Sequence, residues 1–253
     1  MAKKTAVAHD FNVLVPKESA DKILSVLELD LSGKKLSASF VEKALAKLAK
    51  SQYKPVCIQV SPEHMDLAAE LCRGSNIKIN VLARTDTQLE FAIEQGADEL
   101  TIIFPHKEWL AGNLGYPKQY FTQMRNIAIG HGDFCIALES EVLEKAIYLT
   151  EAATEAAMFG ADWLQLSSSD GITPEHANAV LEVVGAHNSR KKEAKRIGFK
   201  AGKGVDTILQ AADYLILGQA VLGADKVVPE CFRIAGSMDL FEECAHKAAE
   251  QDK

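Results

Sequence analysis

Short apolar runs recur along most of the chain and are separated by longer segments with helical spacing. The apolar runs lie at 55–60, 77–83, 99–104, 134–139, 163–167, 197–200 and 232–235. Turn or helix-capping residues bound them, which is typical of buried strands. The sequence therefore predicts a buried strand at each of these runs. Residues 30–33 are compatible with either a short strand end or a turn.

The segments between these strands carry helix-start signals. Ser39 and Glu42 have the spacing of a capping box, and Thr85 begins a second segment of the same pattern. Helices are predicted over 18–27, 39–50, 61–73, 85–96, 120–129, 140–160, 173–186 and 205–212, and from 237 onward. Residues 105–115 are predicted to form a loop.

Strand and helix alternate, which favours parallel strands joined by crossover helices. Gly-Ala-Asp recurs at 96–98, 160–162 and 223–225, with separations of 64 and 63 residues. Half of that spacing is about 32 residues, the size of one βα unit. A chain of 253 residues holds eight such units.

We therefore predict the α/β class and a (β/α)8 TIM barrel, with one domain over 1–253 and a short N-terminal extension. Length alone would also fit two smaller domains. The other architecture considered is an open doubly wound sheet, which is weakened because no G-x-G-x-x-G motif follows the first strand.

Composition narrows the range of partners and compartments. Apolar residues make up 47% of the chain, charged residues 25%, and the formal net charge is −7. That charge argues against a nucleic-acid or anionic-membrane partner. The five cysteines show no metal-binding spacing, so reduced thiols in a cytoplasmic protein are expected, with no metal and no cofactor. No apolar run reaches the roughly 18 residues of a membrane span.

The segment 197–204 (IGFKAGKG) is the strongest local candidate for chemistry. Gly202 and Gly204 would let backbone N–H groups approach an anion, and Lys203 adds positive charge. Lys200 is expected at the carboxyl end of its strand, where parallel barrels place their active sites. The alternative is a solvated lysine beside an ordinary turn.

At this point the chain resembles the deoxyribose-phosphate aldolase family of class I aldolases, whose members are (β/α)8 barrels. The resemblance runs over about residues 55–240. The segments on which the resemblance rests are 96–105 (GADELTIIFP), 110–113 (LAGN), 160–168 (GADWLQLSS), 197–204 (IGFKAGKG) and 232–237 (FRIAGS). These segments occur in the family's order and at its spacing.

The resemblance implies roles for three interior positions. Gln165 stands where the family has its Schiff-base lysine, and Thr101 stands where it has the proton-relay aspartate. Lys200 matches the second lysine, which in the family lowers the pKa of the first. An amide forms no imine, and a threonine hydroxyl is a poor acid or base near neutral pH.

The resemblance also implies a phosphate site. Its members would be the glycine segment 202–204, with Lys203 in place of a family glycine, together with Gly236 and Ser237 at the start of the last helix. Ser168 could offer a hydroxyl to a ligand. Cys57 and Asp30 match substrate-side positions of the family. The loop after the third strand is shortened to 83–85 (ART).

Three functions remain open from the sequence. The first is altered aldol chemistry on a small phosphorylated sugar or aldehyde, with Lys200 forming the imine and Lys203 lowering its pKa. The second is a phosphosugar-binding or regulatory protein without catalysis. The third is a lyase or isomerase that uses Lys200 and Glu139 for acid–base work. A homodimer is the family expectation.

Overall fold

Eight parallel strands form a closed barrel in the computed structural model of this protein, and the last strand pairs with the first. The structure describes residues 17–33, 36–168, 171–190 and 196–249. The strands are β1 (Leu27–Leu31), β2 (Cys57–Val60), β3 (Lys78–Ala83), β4 (Glu99–Ile103), β5 (Asp133–Glu139), β6 (Trp163–Ser167), β7 (Gly198–Val205) and β8 (Phe232–Gly236). The predicted (β/α)8 barrel is therefore confirmed.

Helices lie between the strands. They are α1 (Lys17–Ser25), α2 (Ala38–Lys50), α3 (Met65–Cys72), α4 (Asp86–Glu94), α5 (His106–Leu110), α6 (Gly115–Ala128), α7 (Ala146–Met158), α8 (Pro174–Arg190), α9 (Ile208–Leu222) and α10 (Met238–Ala249). The predicted N-terminal extension lies outside the described residues, so the single-domain assignment over 1–253 stays a prediction.

Alternation along the strands separates an apolar outer layer from a largely polar interior. Leu27, Leu29 and Leu31 of β1 are buried in the main hydrophobic core. Full burial of one leucine side chain contributes about 1.5–3 kcal/mol. Glu28 lies between them in β1 and contacts side chains on β3 and β7, which is possible only across the barrel interior.

Several predicted helix boundaries needed correction. The N-cap of α2 is Ser37, not Ser39, because the Ser37 side chain accepts a hydrogen bond from Phe40 N. Thr85 caps α4 as predicted. Helix α7 begins at Ala146 rather than near Ser140, and the loop predicted over 105–115 contains α5.

Two strand assignments also differ from the prediction. Helix α1 ends at Ser25, and the residues that follow form β1, because apolar and acidic side chains alternate there with a period of two. Strand β7 does not stop at Lys200 but continues to Val205. Its pairing with β8 is irregular between Gly202 and Val205, so the predicted turn is a distortion within the strand.

Candidate functional site

The interior of the barrel is filled by hydrogen-bonded polar side chains. The fully or almost fully buried members are Glu28, Gln59, Asn80, Glu99, Thr101, Gln165, Lys200 and Arg233. They come from seven different strands, and most of them contact one another directly. We call this group the interior polar network.

Four charged residues form the part of the network nearest the amino-terminal ends of the strands. Lys200 Nζ lies 2.8 Å from a carboxylate oxygen of Glu28 and 2.8 Å from one of Glu99. The Arg233 guanidinium binds both oxygens of Glu99 at 2.7 Å and reaches Glu28 at 3.1 Å. Two buried cations and two buried carboxylates therefore neutralise each other inside the barrel, and the half-exposed Lys78 adds a contact to Glu99 at 3.2 Å. We call these four residues the charge cluster.

The charge cluster fixes the protonation of Lys200. Burial alone would lower its pKa, but the carboxylates of Glu28 and Glu99 raise it well above the ordinary lysine value. For Glu99, burial raises the pKa, and the neighbouring Lys200 and Arg233 outweigh that effect and lower it. The Lys200 amine is thus held as an ammonium group without a lone pair: its net pKa is raised, whereas the sequence predicts a lowered one, because the two carboxylates outweigh the lowering by the Arg233 cation.

Lys200 also lies deeper than predicted. It is the third residue of β7 and is fully buried, whereas the sequence placed it at the carboxyl end of the strand. The indole of Trp163 on β6 packs against the cluster, with Lys200 Nζ 5.2 Å and Arg233 Cζ 4.3 Å from its ring centroid. An alanine at Gly198 would put its Cβ within 2.4 Å of this indole, so glycine is required there.

Gln165 is the immediate neighbour of Lys200 across the β6–β7 pairing. Its amide nitrogen donates to Ser167 Oγ at 3.3 Å, and its amide oxygen accepts a weak hydrogen bond from Cys135 Sγ at 3.8 Å. A Cβ at Gly202 would lie 3.1 Å from the Gln165 side chain, so the glycine segment packs directly against this amide.

Thr101 is bound into the network rather than facing an open space. Its hydroxyl donates to Asn80 Oδ1 at 2.8 Å, and Asn80 in turn donates to Glu28 and Gln59. Cys57 is fully buried, and burial followed by the Glu28 and Glu99 charges raises the pKa of its thiol. Neither Thr101 nor Cys57 lines the small cavity that opens among the carboxyl ends of the strands and is described below.

The elements of the predicted phosphate site are adjacent. Val205 of β7 pairs with Gly236 of β8, and Ser237 N donates to Val205 O at 3.3 Å. Gly204 has φ +94°, and a Cβ there would lie 2.6 Å from Gly171 Cα. Ser237 directly precedes α10, and its hydroxyl accepts from Leu240 N. The glycine segment and the N-terminus of α10 thus share one corner of the barrel mouth.

Parts of the predicted site are not described. The Lys203 side chain and residues 169–170, which follow Ser168, lie outside what the structure describes. Ser168 is described and lies at the mouth.

A small cavity of about 40 Å³ opens among the carboxyl ends of the strands, and we call it the mouth cavity. Its polar lining includes Asp30, Ser32, Gln59, Arg84, Glu139, Glu141, Gln165, Ser167 and Ser168. A larger cavity of about 930 Å³ lies at the opposite, amino-terminal face, but barrel chemistry occurs at the carboxyl ends.

His106 lies beside the mouth cavity but is not a free base. Its Nε2 accepts a hydrogen bond from Glu139 N at 3.0 Å, and its Nδ1 lies 3.6 Å from the Glu139 carboxylate. Burial lowers the pKa of His106 to about 4, so the ring is neutral. Its ring orients Glu139, which lines the cavity.

Cys57 forms, with the two carboxylates of the charge cluster, a group of three potential metal ligands. Carboxylate oxygens of Glu28 and Glu99 and the Cys57 sulfur lie within 4.8 Å of one another. Both carboxylates already bind Lys200 and Arg233, and the Cys57 thiol is held protonated. The donor set is therefore poorly suited to a cation.

Within the described ranges, no helix combines the length and apolarity that a membrane crossing needs.

Sequence reasoning missed Glu28, Glu99 and Arg233 as interior residues. A signal was present, since each is a charged residue within or at the end of a strand whose other residues are mostly apolar. Such residues are rarely buried unless they are paired.

Comparison with known proteins supports the architecture. No protein-family model matches the chain. A protein from Toxoplasma gondii ME49, provisionally named a deoxyribose-phosphate aldolase, is similar in structure with a TM-score of 0.81 and 20% sequence identity, covering 94% of this chain and 96% of that chain.

Two further solved structures have the same fold. A protein from Coccidioides immitis with the same provisional name has a TM-score of 0.66 at 17% identity, over 88% of this chain and 85% of its own. The aldolase QR15 has a TM-score of 0.67 at 15% identity, over 90% and 98%. At these identities the similarity establishes a shared aldolase-like barrel fold.

Proposed function

We propose that this protein binds a small phosphorylated sugar or aldehyde at the carboxyl-terminal end of the barrel and has lost imine-based carbon–carbon lyase activity. Imine formation needs a neutral amine that can attack a carbonyl. The observation that carries the proposal is the position of Lys200, whose Nζ lies 2.8 Å from each of two buried carboxylates. Its lone pair is unavailable, and Gln165 beside it supplies only an amide.

Support for binding comes from the carboxyl end of β7, the strand that also carries Lys200. The glycine segment of β7 and the N-terminus of α10 lie side by side at the corner formed by Val205 and Gly236. Backbone N–H groups at a helix N-terminus favour phosphate. The fold shared with proteins named as deoxyribose-phosphate aldolases is consistent with a sugar phosphate as the ligand.

The other functions considered from the sequence have less support. Altered aldol chemistry through Lys200 would require its ammonium group to leave two carboxylates and lose a proton. Acid–base chemistry by Lys200 together with Glu139 is weakened because Lys200 contacts Glu28 and Glu99, whereas Glu139 is held by His106 at the mouth.

The test is to measure binding and cleavage on the same protein. Calorimetric titration with 2-deoxyribose 5-phosphate is expected to give saturable binding, while an assay for released acetaldehyde gives none above background. Borohydride reduction with acetaldehyde, followed by mass spectrometry, is expected to leave Lys200 unmodified. A reduced adduct on Lys200, or enzymatic release of acetaldehyde, would overturn the loss of catalysis, and absence of phosphosugar binding would overturn the binding role.

We further propose a cytoplasmic location and a homodimer, with neither nucleic acid nor membrane as a partner. All five cysteines are free thiols, which supports a reducing compartment. The net charge of −7 supports the exclusion of anionic polymers. Light scattering after size-exclusion chromatography tests the dimer.

A further inference from the structure

Arg84 is an arginine at the barrel mouth whose guanidinium is incompletely satisfied. Its Nε is buried and has no hydrogen-bond partner among the described residues. The side chain lines the mouth cavity together with Gln165 and Ser168. A buried N–H group without a partner is unfavourable, and such groups in native proteins require an explanation such as a ligand that is absent.

The local backbone holds Arg84 in place. Arg84 directly follows β3, and its own N–H donates to Gln88 Oε1 at 2.8 Å. Thr85, the next residue, caps α4 by accepting from Gln88 N. The start of α4 therefore fixes the point from which the arginine side chain reaches the cavity. A guanidinium presented in this way suits a planar oxyanion, which it binds through two parallel hydrogen bonds.

The size of the mouth cavity limits the group that can enter. About 40 Å³ of space accommodates about three water-sized groups. A carboxylate, with one carbon and two oxygens, is the smaller oxyanion, and the acidic side chains in the cavity lining repel its single negative charge less than the charge of a phosphate. The anion best suited to Arg84 is therefore a carboxylate, and the phosphate is assigned to the glycine segment near α10.

The remaining polar lining suits hydroxyl groups between these two ends. Asp30, Glu139 and Glu141 line the same cavity as Arg84. Their carboxylate oxygens can accept hydrogen bonds from sugar hydroxyls that extend outward from the cavity, and their negative charge disfavours an anion at any place except beside the guanidinium. The lining thus favours a polyhydroxylated compound that carries its carboxylate at one end.

We propose that Arg84 binds the carboxylate of a phosphorylated sugar acid whose phosphate lies at the glycine segment of β7. This inference rests on the proposed phosphosugar-binding function and names the substrate class. It also assigns a role to the shortened segment after β3, which places an arginine at the mouth.

The test compares two ligands that differ only at the end facing Arg84. 4-Phosphoerythronate carries a carboxylate where erythritol 4-phosphate carries a hydroxymethyl group. Calorimetry on the wild-type protein is expected to show at least about tenfold tighter binding of the acid, the scale of one charge-assisted interaction. In Arg84→Met this preference disappears, while binding of erythritol 4-phosphate stays within about twofold.

Two further variants control for charge and folding. Arg73→Met removes the same charge at an exposed position at the end of α3 and is expected to keep the preference. Arg84→Lys keeps the charge without the two-pronged geometry and is expected to fall between wild type and Arg84→Met. Circular dichroism and melting curves establish that each variant is folded.

The outcomes separate this inference from the proposed function. Equal affinities of wild type for the two compounds, or a preference that persists in Arg84→Met, overturn the role of Arg84 and leave phosphosugar binding intact. If erythronate binds and depends on Arg84 while inorganic phosphate and erythritol 4-phosphate do not bind, the carboxylate subsite stands and the phosphate site fails. Binding of none of these four compounds overturns both.

Discussion

Lys200 and Glu99 are 101 residues apart in the sequence, and their charged atoms lie 2.8 Å apart at the centre of the barrel. Both side chains are fully buried, so their attraction is only weakly screened by solvent. The lysine that the sequence offered as a nucleophile therefore has a structural role, and its removal should affect stability first.

We expect Lys200→Met to destabilise the protein by about 3–5 kcal/mol, because it leaves the buried carboxylates of Glu28 and Glu99 without the cation that bridges them. Urea unfolding measures this loss. Lys47→Met, which removes an exposed ion pair with Glu242, is the matched control and should cost at most about 1 kcal/mol. Equal stability of Lys200→Met and wild type would contradict the structural role of the cluster.

The charge cluster also predicts how stability depends on pH. The pKa of Glu99 is lower in the folded protein than its ordinary value of 4.5, so its contribution is present above pH 4.5 and is lost as pH falls through the folded pKa. The pKa of Lys200 is raised above 10.5, so its contribution is present below pH 10.5 and is lost as pH rises through the folded pKa.

Unfolding experiments from about pH 3 to 10 on wild type and Glu99→Gln test this dependence. The difference in free energy of unfolding should be constant at neutral pH and should shrink below pH 4.5. Glu94→Gln, at an exposed position of α4, is the control and should follow wild type throughout. A difference that is unchanged at low pH would show that Glu99 is not ionised in the fold.

Gln165→Lys should give the protein an amine that forms an imine. The new amine would lie beside Lys200 in the β6–β7 pairing, and a neighbouring ammonium group lowers the pKa of a lysine. Borohydride reduction with acetaldehyde should then label residue 165, whereas wild type and Gln165→Met remain unlabelled. Adding Thr101→Asp should raise any aldol rate by about 10²–10⁴-fold, the contribution of one acid–base group.

Absence of label in a folded Gln165→Lys protein would mean that an aldehyde does not reach this depth of the barrel. Gln165 is one of the residues that line the mouth cavity. Absence of label would therefore show that this cavity does not admit even a two-carbon aldehyde. Labelling at another lysine would place the reactive amine elsewhere.

Gly204→Ala tests the corner assigned to phosphate. The backbone there has φ +94°, and the added Cβ would lie 2.6 Å from Gly171 Cα. We expect a stability loss of more than about 1 kcal/mol, together with weaker binding of inorganic phosphate. Gly130→Ala shares the positive φ, at +83°, with nothing within 4 Å of the added Cβ. It should lose about 1 kcal/mol and keep phosphate affinity.

The barrel itself could be predicted because its signals are local. Strands β2–β6 and β8 appear in the sequence as short apolar runs, and caps such as Thr85 mark where helices begin. The sequence predicts the first residue of β1 as part of a helix, because the strand has only five residues and closely follows a helical segment. Its three leucines are separated by acidic residues. The period-two alternation distinguishes the strand only once its partners are known.

The charge cluster could not be predicted because its members are brought together only by closure of the barrel. Glu28 and Arg233 are 205 residues apart, and they meet because β8 pairs with β1. The sequence could identify Gln165 and Thr101 as unusual through the resemblance to aldolases. It could not show that Lys200 is neutralised by carboxylates from β1 and β4.

The four members of the charge cluster constrain how this protein can evolve. Replacing any single one leaves an odd charge in the middle of the barrel, so a lineage can change Glu28, Glu99, Lys200 or Arg233 only through an unstable intermediate or by compensating changes. We therefore expect these positions to be inherited as a set among descendants of this gene.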